Sequence, residues 1–181
     1  MLKYFSYLSI TLIIACIFSC KKNDEYPKGN AQAQLNGNNW EAERVFATPS
    51  VFGNKDLMEI YIVKDHDQPT SQHMMFGNVR KTMDSQRLYI SLKNQDSAIK
   101  SWTLFITSQE SDVTGDEFYL VESDTANNWL QITSADADFT KNIKGTFSAT
   151  YYKAYSYPGS PNPDTIRIRN GSFYISKLKQ F

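Results

Sequence analysis

The chain has 181 residues, of which 41% are hydrophobic and 21% are charged, a composition typical of one globular domain and not of a disordered or fibrous chain. Its 19 basic and 19 acidic residues give a net charge of zero, which excludes the basic surface that a nucleic acid partner requires. Both cysteines, Cys16 and Cys20, lie near the N-terminus, so a chain cut before Cys20 has no internal disulfide and no cysteine-based zinc site.

The first twenty residues have the pattern of a secretion signal. Lys3 supplies a short positive start, residues 4–19 carry no charge, and a charged run from Lys21 to Glu25 follows Cys20 directly. This order predicts a signal peptide over residues 1–19. Two alternatives are a transmembrane helix, which needs about 20 apolar residues, and a soluble leader in which Cys20 is incidental.

The segment Ile17-Phe18-Ser19-Cys20 resembles a lipobox, with Phe18 and Ser19 standing where smaller residues are usual. The resemblance implies cleavage before Cys20 and a diacylglycerol thioether on its sulfur, with further acylation of the new N-terminus by palmitate-type chains. One acyl chain anchors a protein only marginally, whereas two or three hold it firmly. We therefore expect an outer-membrane lipoprotein on the periplasmic or the cell-surface face, with the membrane as its partner through Cys20.

Residues 20–31 are polar and contain Pro27 and Gly29, which predicts a flexible tether that carries the lipid. Residues 32–181 form the predicted single domain. Asn36-Gly37 predicts a tight hairpin, and Asn170-Gly171 predicts either a hairpin or a bulge. The run Leu57–Val63 is apolar on both sides except at Glu59 and Tyr61, which indicates a central strand.

Apolar residues recur at every second position through most of the domain, the period of a half-buried strand. In the run 101–107 this alternation predicts that Trp102, Leu104 and Ile106 point inward. Elsewhere it predicts these inward residues: Leu88, Ile90, Leu92, Phe118, Leu120, Leu130, Ile132, Ile143, Gly145, Phe147, Ala149, Tyr151, Ile166, Ile168, Phe173 and Ile175. With no helical pattern, the sequence predicts an all-β antiparallel β-sandwich of about eight to ten short strands, or alternatively a small lipocalin-like β-barrel.

Three tyrosines near the end of one predicted strand are the candidate ligand-binding residues. Tyr152 falls on the outward side of the alternation, and Tyr155 and Tyr157 enter a loop rich in proline and glycine. Tyrosines on loops provide contact area at low entropic cost, and their rings stack on sugars. The alternative is that these rings cover one end of the domain and only their hydroxyls reach water.

The sequence contains no recognisable catalytic or metal-binding motif. His66, in Lys64-Asp65-His66-Asp67, and the pair Asp136 and Asp138 fit no known ligand spacing, so we expect neither a metal nor a cofactor. A non-catalytic binding module for a glycan, a peptide or an envelope protein is therefore favoured. A secreted hydrolase whose carboxylates meet only in space and a lipocalin-like carrier with an apolar cavity stay open.

Three further segments carry a resemblance over the start and the last third of the domain. They are Leu-Asn-Gly-Asn-Asn-Trp-Glu-Ala at 35–42, Ile-Lys-Gly-Thr-Phe-Ser-Ala at 143–149 and Ile-Arg-Asn-Gly-Ser-Phe at 168–173. Together they resemble a family of small all-β lipoproteins of unknown function from Bacteroidota-type bacteria. The resemblance implies a compact β-domain behind a lipobox and brings no catalytic residues with it.

Overall fold

A computed structural model describes residues 29–50, 53–65, 70–90, 100–109 and 113–178. The predicted signal peptide, Cys20, most of the predicted tether, Leu92 and His66 lie outside the described residues. Within those ranges the chain forms no helix and twelve strands: β1 (Gly29–Leu35), β2 (Asn38–Ala42), β3 (Arg44–Pro49), β4 (Leu57–Lys64), β5 (Thr70–Arg80), β6 (Gln86–Arg87), β7 (Tyr89–Ile90), β8 (Trp102–Gln109), β9 (Val113–Leu120), β10 (Trp129–Ser134), β11 (Lys141–Tyr155) and β12 (Thr165–Lys177). The prediction of an all-β domain is confirmed, and the two additional strands, β6 and β7, have only two residues each.

All twelve strands belong to one hydrogen-bonded sheet. The order along its main path is β2-β1-β12-β11-β9-β8-β5-β4-β3, with β10 paired to β11 and β6, and β7 paired to β8. Every pairing is antiparallel except that between β7 and β8. β4 lies between β3 and β5, so the prediction of a central strand over Leu57–Val63 is confirmed.

The sheet is rolled, because its two ends come together. β2 and β3 are the terminal strands of the path, yet Glu43 alone separates them in the chain. β3 also contacts β1 and β12, so closely that a Cβ at Gly29 would overlap the carbonyl oxygen of Val45. The single sheet therefore has an inner face, which encloses the core, and an outer face, as in a barrel. Strands on opposite sides of the core also face one another, as in a sandwich.

Large side chains fill the interior. Phe76, Phe105, Phe118, Phe147 and Tyr151 are all fully buried. The Phe105 ring lies 5.7 Å from that of Phe118 and 5.9 Å from that of Tyr151, centroid to centroid. A lipocalin-like carrier needs an apolar cavity where these rings lie, so the packing disfavours that alternative.

Positive φ angles mark the two predicted Asn-Gly sites, and they have different roles. Asn36 and Gly37, with φ of 50° and 84°, form the predicted hairpin between β1 and β2. Asn170, with φ of 53°, lies inside the continuous strand β12, so this site is a bulge. β1 begins at Gly29, so residues 29–31, which the sequence assigns to the tether, belong to the sheet.

The prediction for β8 is wrong, because its inward and outward sides are exchanged. Thr103, Phe105 and Thr107 are buried, whereas Trp102, Leu104 and Ile106 lie half-exposed on the outer face. The two threonines are accommodated inside because their hydroxyls have partners: Thr103 Oγ1 lies 2.8 Å from Tyr151 Oη, and Thr107 Oγ1 accepts a bond of 3.0 Å from the Asp116 backbone nitrogen. The other predicted inward residues that the structure describes are all buried, although in β11 the outward residues Ser148 and Thr150 are buried as well.

Candidate functional site

Six outward side chains form one line across six neighbouring strands of the outer face. The strand register pairs each with the next, from β3 through β4, β5, β8 and β9 to β11. We call this line the apolar row; its members are Phe46, Tyr61, Met75, Leu104, Tyr119 and Tyr152. Neighbouring strands lie about 4.8 Å apart, so the row is about 24 Å long.

Both ends of the apolar row carry paired aromatic rings. Phe46 and Tyr61 stack with centroids 5.0 Å apart and planes 9° apart. Tyr119 meets Tyr152 edge to face, with centroids 6.3 Å apart. The side chains of Met75 and Leu104 lie between the two pairs and are flexible and apolar. The row therefore offers two rigid aromatic platforms joined by an adaptable centre.

The two inner tyrosines of the apolar row are fixed by glutamates two residues earlier on the same strand. Tyr61 donates a hydrogen bond of 2.5 Å to Glu59, and Tyr119 donates one of 3.1 Å to Glu117. Burial and the neighbouring glutamate raise the pKa of both tyrosines, so their hydroxyls stay protonated. Each platform thus has a fixed ring with a carboxylate beside it.

A second outward line runs beside the apolar row and accounts for Tyr155. The register joins Arg44, Val63, His73, Ile106, Glu117 and Tyr155. Tyr155 is 56% exposed and Tyr152 is 42% exposed. The exposure of both rings meets the condition that a contact surface requires, and Tyr152 is the last member of the apolar row.

The other half of the same outer face is polar. Across β2, β1, β12, β11 and β10, the register joins five outward side chains that we call the polar row: Glu41, Gln32, Ser172, Thr146 and Gln131. Polar side chains are what a solvated sheet face ordinarily carries. The apolar row is therefore a feature of one half of the sheet; among its members Tyr152 is exposed and the other five are half-buried.

Tyr157 belongs to a loop that a buried carboxylate holds in place. The Asp116 side chain is fully buried and accepts hydrogen bonds from the Tyr157 backbone nitrogen at 3.0 Å, from Asn162 Nδ2 at 2.7 Å and from the Ser160 hydroxyl. Lys153 Nζ lies 3.9 Å from Asp116 Oδ2 and donates to the Asn162 carbonyl oxygen. Asp116 is therefore the residue that orders the segment 157–162.

Replacing Asp116 with asparagine is expected to lower the free energy of unfolding by about 2–3 kcal/mol, because a buried lysine and three donors lose their charged acceptor. Burial would raise the pKa of Asp116, but the bonds from Ser160, Asn162 and Tyr157 outweigh it and hold that pKa below its usual value. The stabilisation is then fully present above the unfolded pKa of about 3.9 and is lost as pH falls through the folded pKa.

Urea unfolding of the two proteins between pH 7 and pH 2 measures this contribution. Asp164→Asn is the matched control, since Asp164 lies equally far from Lys153 Nζ, at 3.9 Å, but is fully exposed and should contribute little. A difference between wild type and Asp116→Asn that persists unchanged at pH 2, or one no larger than that of the control, contradicts this role.

The other polar residues that the sequence singles out have structural surroundings. Asp136 accepts hydrogen bonds from the Thr140 backbone nitrogen, the Thr140 hydroxyl and the Lys141 backbone nitrogen at 2.6–2.8 Å, so it shapes a turn. Within the described ranges, no group of three or more His, Cys, Asp or Glu side chains could hold a metal ion. The same ranges contain no helix long and apolar enough to cross a membrane.

Sequence reasoning identified Tyr152, Tyr155 and Tyr157 but missed the other five members of the apolar row. These five are far apart in the chain, and only the strand register brings them into line. One signal was present in the sequence: the triplet Glu-x-Tyr occurs at Glu59–Tyr61 and again at Glu117–Tyr119, with a buried residue in the middle. Comparison of the chain with protein-family models, with curated proteins and with solved structures finds no match.

Proposed function

We propose that this protein is a lipid-anchored lipoprotein of the cell envelope that binds a glycan, without catalysis, on its apolar row. The observation that supports the proposal is that one half of the outer face is polar, whereas the apolar row crosses the other half. A solvent-facing line of rings and aliphatic side chains across six strands has no role in the core, which lies on the opposite face. A ligand that covers the row gives these side chains a function.

The chemistry of the row suits a glycan. Sugar rings present a face of C–H groups that stacks on aromatic rings, and their hydroxyls donate hydrogen bonds to carboxylates. The row supplies the rings, and Glu117, half-buried beside Tyr119, supplies a carboxylate. Its length of about 24 Å fits an extended chain of sugars.

The position of the row disfavours a peptide that would bind by adding a strand. Strand addition requires the free edge of a sheet, and the row crosses the middle of this one, where β4, β5, β8 and β9 each have strand neighbours on both sides. A ligand on the row is therefore recognised by side chains. A folded partner with a flat apolar face is the second candidate, since the same surface would suit it.

Three carboxylates of the described ranges stabilise the fold, so they lend the hydrolase no support. Asp116 holds a loop, Asp136 shapes a turn, and Asp124 accepts a hydrogen bond of 2.6 Å from Thr150 and lies 3.4 Å from Arg169 Nη2. Each of these acids is occupied by neighbours that stabilise the fold. The binding module is therefore the function that the geometry supports best.

The proposed anchor would keep the row close to the envelope. The ten residues from Cys20 to Gly29 are joined by nine steps, which span at most about 32 Å when extended. They end at Gly29, which lies against Val45, next to the first member of the row, Phe46. The lipobox and the resemblance to small envelope lipoproteins support this location.

The double substitution Tyr119→Ala/Tyr152→Ala is expected to weaken glycan binding by roughly 30-fold or more, because aromatic anchors of this kind contribute about 2 kcal/mol or more. A glycan array with the detergent-solubilised full chain selects the oligosaccharide, and calorimetry measures its affinity. Tyr174→Ala is the matched control, since Tyr174 is a half-buried tyrosine on the polar half of the same outer face. Equal affinities for the double variant and wild type would contradict the proposal, as would selective binding of a protein partner.

A further inference from the structure

A polar pocket lies at the rim of the rolled sheet, where β5 begins and β8 ends. It has a volume of about 180 Å³, and its walls include Asp65, Ser71, Gln72, Thr107, Ser108 and Asn162. Ser71 and Ser108 are paired across the two strands, and on each strand the outward line leads from them to Met75 and Leu104 of the apolar row. Four residues along a strand correspond to about 13 Å. The pocket is thus within reach of a ligand on the row.

The amides of the pocket are fixed before any ligand arrives. Gln72 Oε1 accepts a bond of 2.7 Å from Nε1 of the buried Trp40, which leaves the Gln72 amide nitrogen as a donor within the described part of the chain. Asn162 Nδ2 donates to the buried Asp116 at 2.7 Å and to Thr107 at 3.3 Å. This leaves the side-chain oxygen of Asn162, Oδ1, as an acceptor. Two preorganised amides therefore offer one donor and one acceptor at little entropic cost on binding.

The charge and size of the pocket restrict its ligand. Asp65 is the one charged residue among the described walls, and Lys64 Nζ, 3.9 Å from its carboxylate, balances that charge, so the pocket favours neither an anion nor a cation. The Ser71 hydroxyl lies 2.7 Å from His73 Nε2, which fixes a further wall. A neutral ring bearing hydroxyl groups matches the volume and the mixture of donors and acceptors.

The geometry points to this pocket as a subsite for one neutral sugar ring, the terminal residue of the glycan that lies on the apolar row. The identity of the longer ligand rests on the proposed function, whereas the pocket itself is built from a separate set of residues. Recognition by fixed amides would select chains that end in a ring with free hydroxyls.

The test uses the full chain in detergent and four neutral monosaccharides: glucose, galactose, mannose and N-acetylglucosamine. Each is titrated at millimolar concentrations while NMR follows the side-chain amide signal of Gln72. We expect at least one sugar to shift this signal in wild type. Ser108→Trp, which fills the pocket from its rim, should abolish the shift, whereas Ser172→Trp, on the polar row, should leave it unchanged.

The variants separate this inference from the proposed function. Tyr119→Ala/Tyr152→Ala should bind the monosaccharide as wild type does and bind the oligosaccharide roughly 30-fold or more weakly. Ser108→Trp should lose the monosaccharide and retain weaker oligosaccharide binding. If none of the four sugars shifts the Gln72 signal, or if the shift survives in Ser108→Trp, the subsite is overturned even when the row still binds.

Discussion

Replacement of Cys20 with alanine is expected to abolish incorporation of radiolabelled palmitate and to remove the protein from the outer-membrane fraction. Each buried methylene of an acyl chain contributes about 0.8 kcal/mol to membrane affinity. Two or three chains therefore supply nearly all of the expected affinity of the protein for the membrane. The domain described here offers no spanning helix to replace them. Metabolic labelling followed by separation of the membranes on a density gradient measures both outcomes.

Cys16 provides the matched control for this experiment. It lies in the predicted leader, four residues before Cys20, and is lost on cleavage. Cys16→Ala should therefore incorporate label and fractionate as wild type does. If Cys20→Ala keeps its place in the outer-membrane fraction, the lipobox assignment is wrong, and an uncleaved helix becomes the better explanation of the N-terminus.

Substitution of Phe105 with alanine is expected to lower the free energy of unfolding by about 3–5 kcal/mol, because it leaves a cavity among fully buried rings. The adjacent substitution Leu104→Ala should lower it by about 1 kcal/mol or less, since Leu104 lies half-exposed on the outer face. The two residues are neighbours in β8 and differ mainly in the side of the sheet they occupy. Urea unfolding of the two variants and wild type, in the same detergent, gives the comparison.

This pair of substitutions tests the orientation of β8. The pattern in the sequence places Leu104 inside and its neighbour outside, whereas the structure places them the other way round. If Leu104→Ala lowers the free energy of unfolding more than Phe105→Ala does, the orientation expected from the sequence is right. It would also remove Leu104 from the apolar row and interrupt the proposed binding surface.

Alternation predicted the inner face well where one side of a strand is plainly polar. In β11, Ile143, Phe147 and Tyr151 alternate with residues such as Lys144 and Thr146, and the buried side follows directly. In β8 both sides carry apolar residues, so period two could not distinguish them. Thr103 and Thr107 can be buried because their hydroxyls bond to groups on other strands, and the local sequence does not specify those groups.

The candidate site was predictable only in part, for a related reason. Tyr152 could be found because its own strand alternates cleanly and leads into a loop. Its alignment with Tyr61 and Tyr119 depends on strand order and on register shifts, such as the one between Met58 and Ile60 in the pairing of β4 with β5. Those shifts arise from contacts between distant segments, so a reading of single strands cannot place the row.

Methyl NMR of the full chain labelled with ¹³C-methyl methionine can show whether a ligand binds on the apolar row. Met75 lies in the row, Met58 and Met74 are buried in the core, and Met83 is 42% exposed away from the row. On titration with the oligosaccharide selected by the array, we expect the Met75 methyl signal to shift in proportion to saturation of the protein. The Met83 methyl signal should stay unchanged. Saturation of the protein with no change in the Met75 methyl signal would contradict binding on the apolar row.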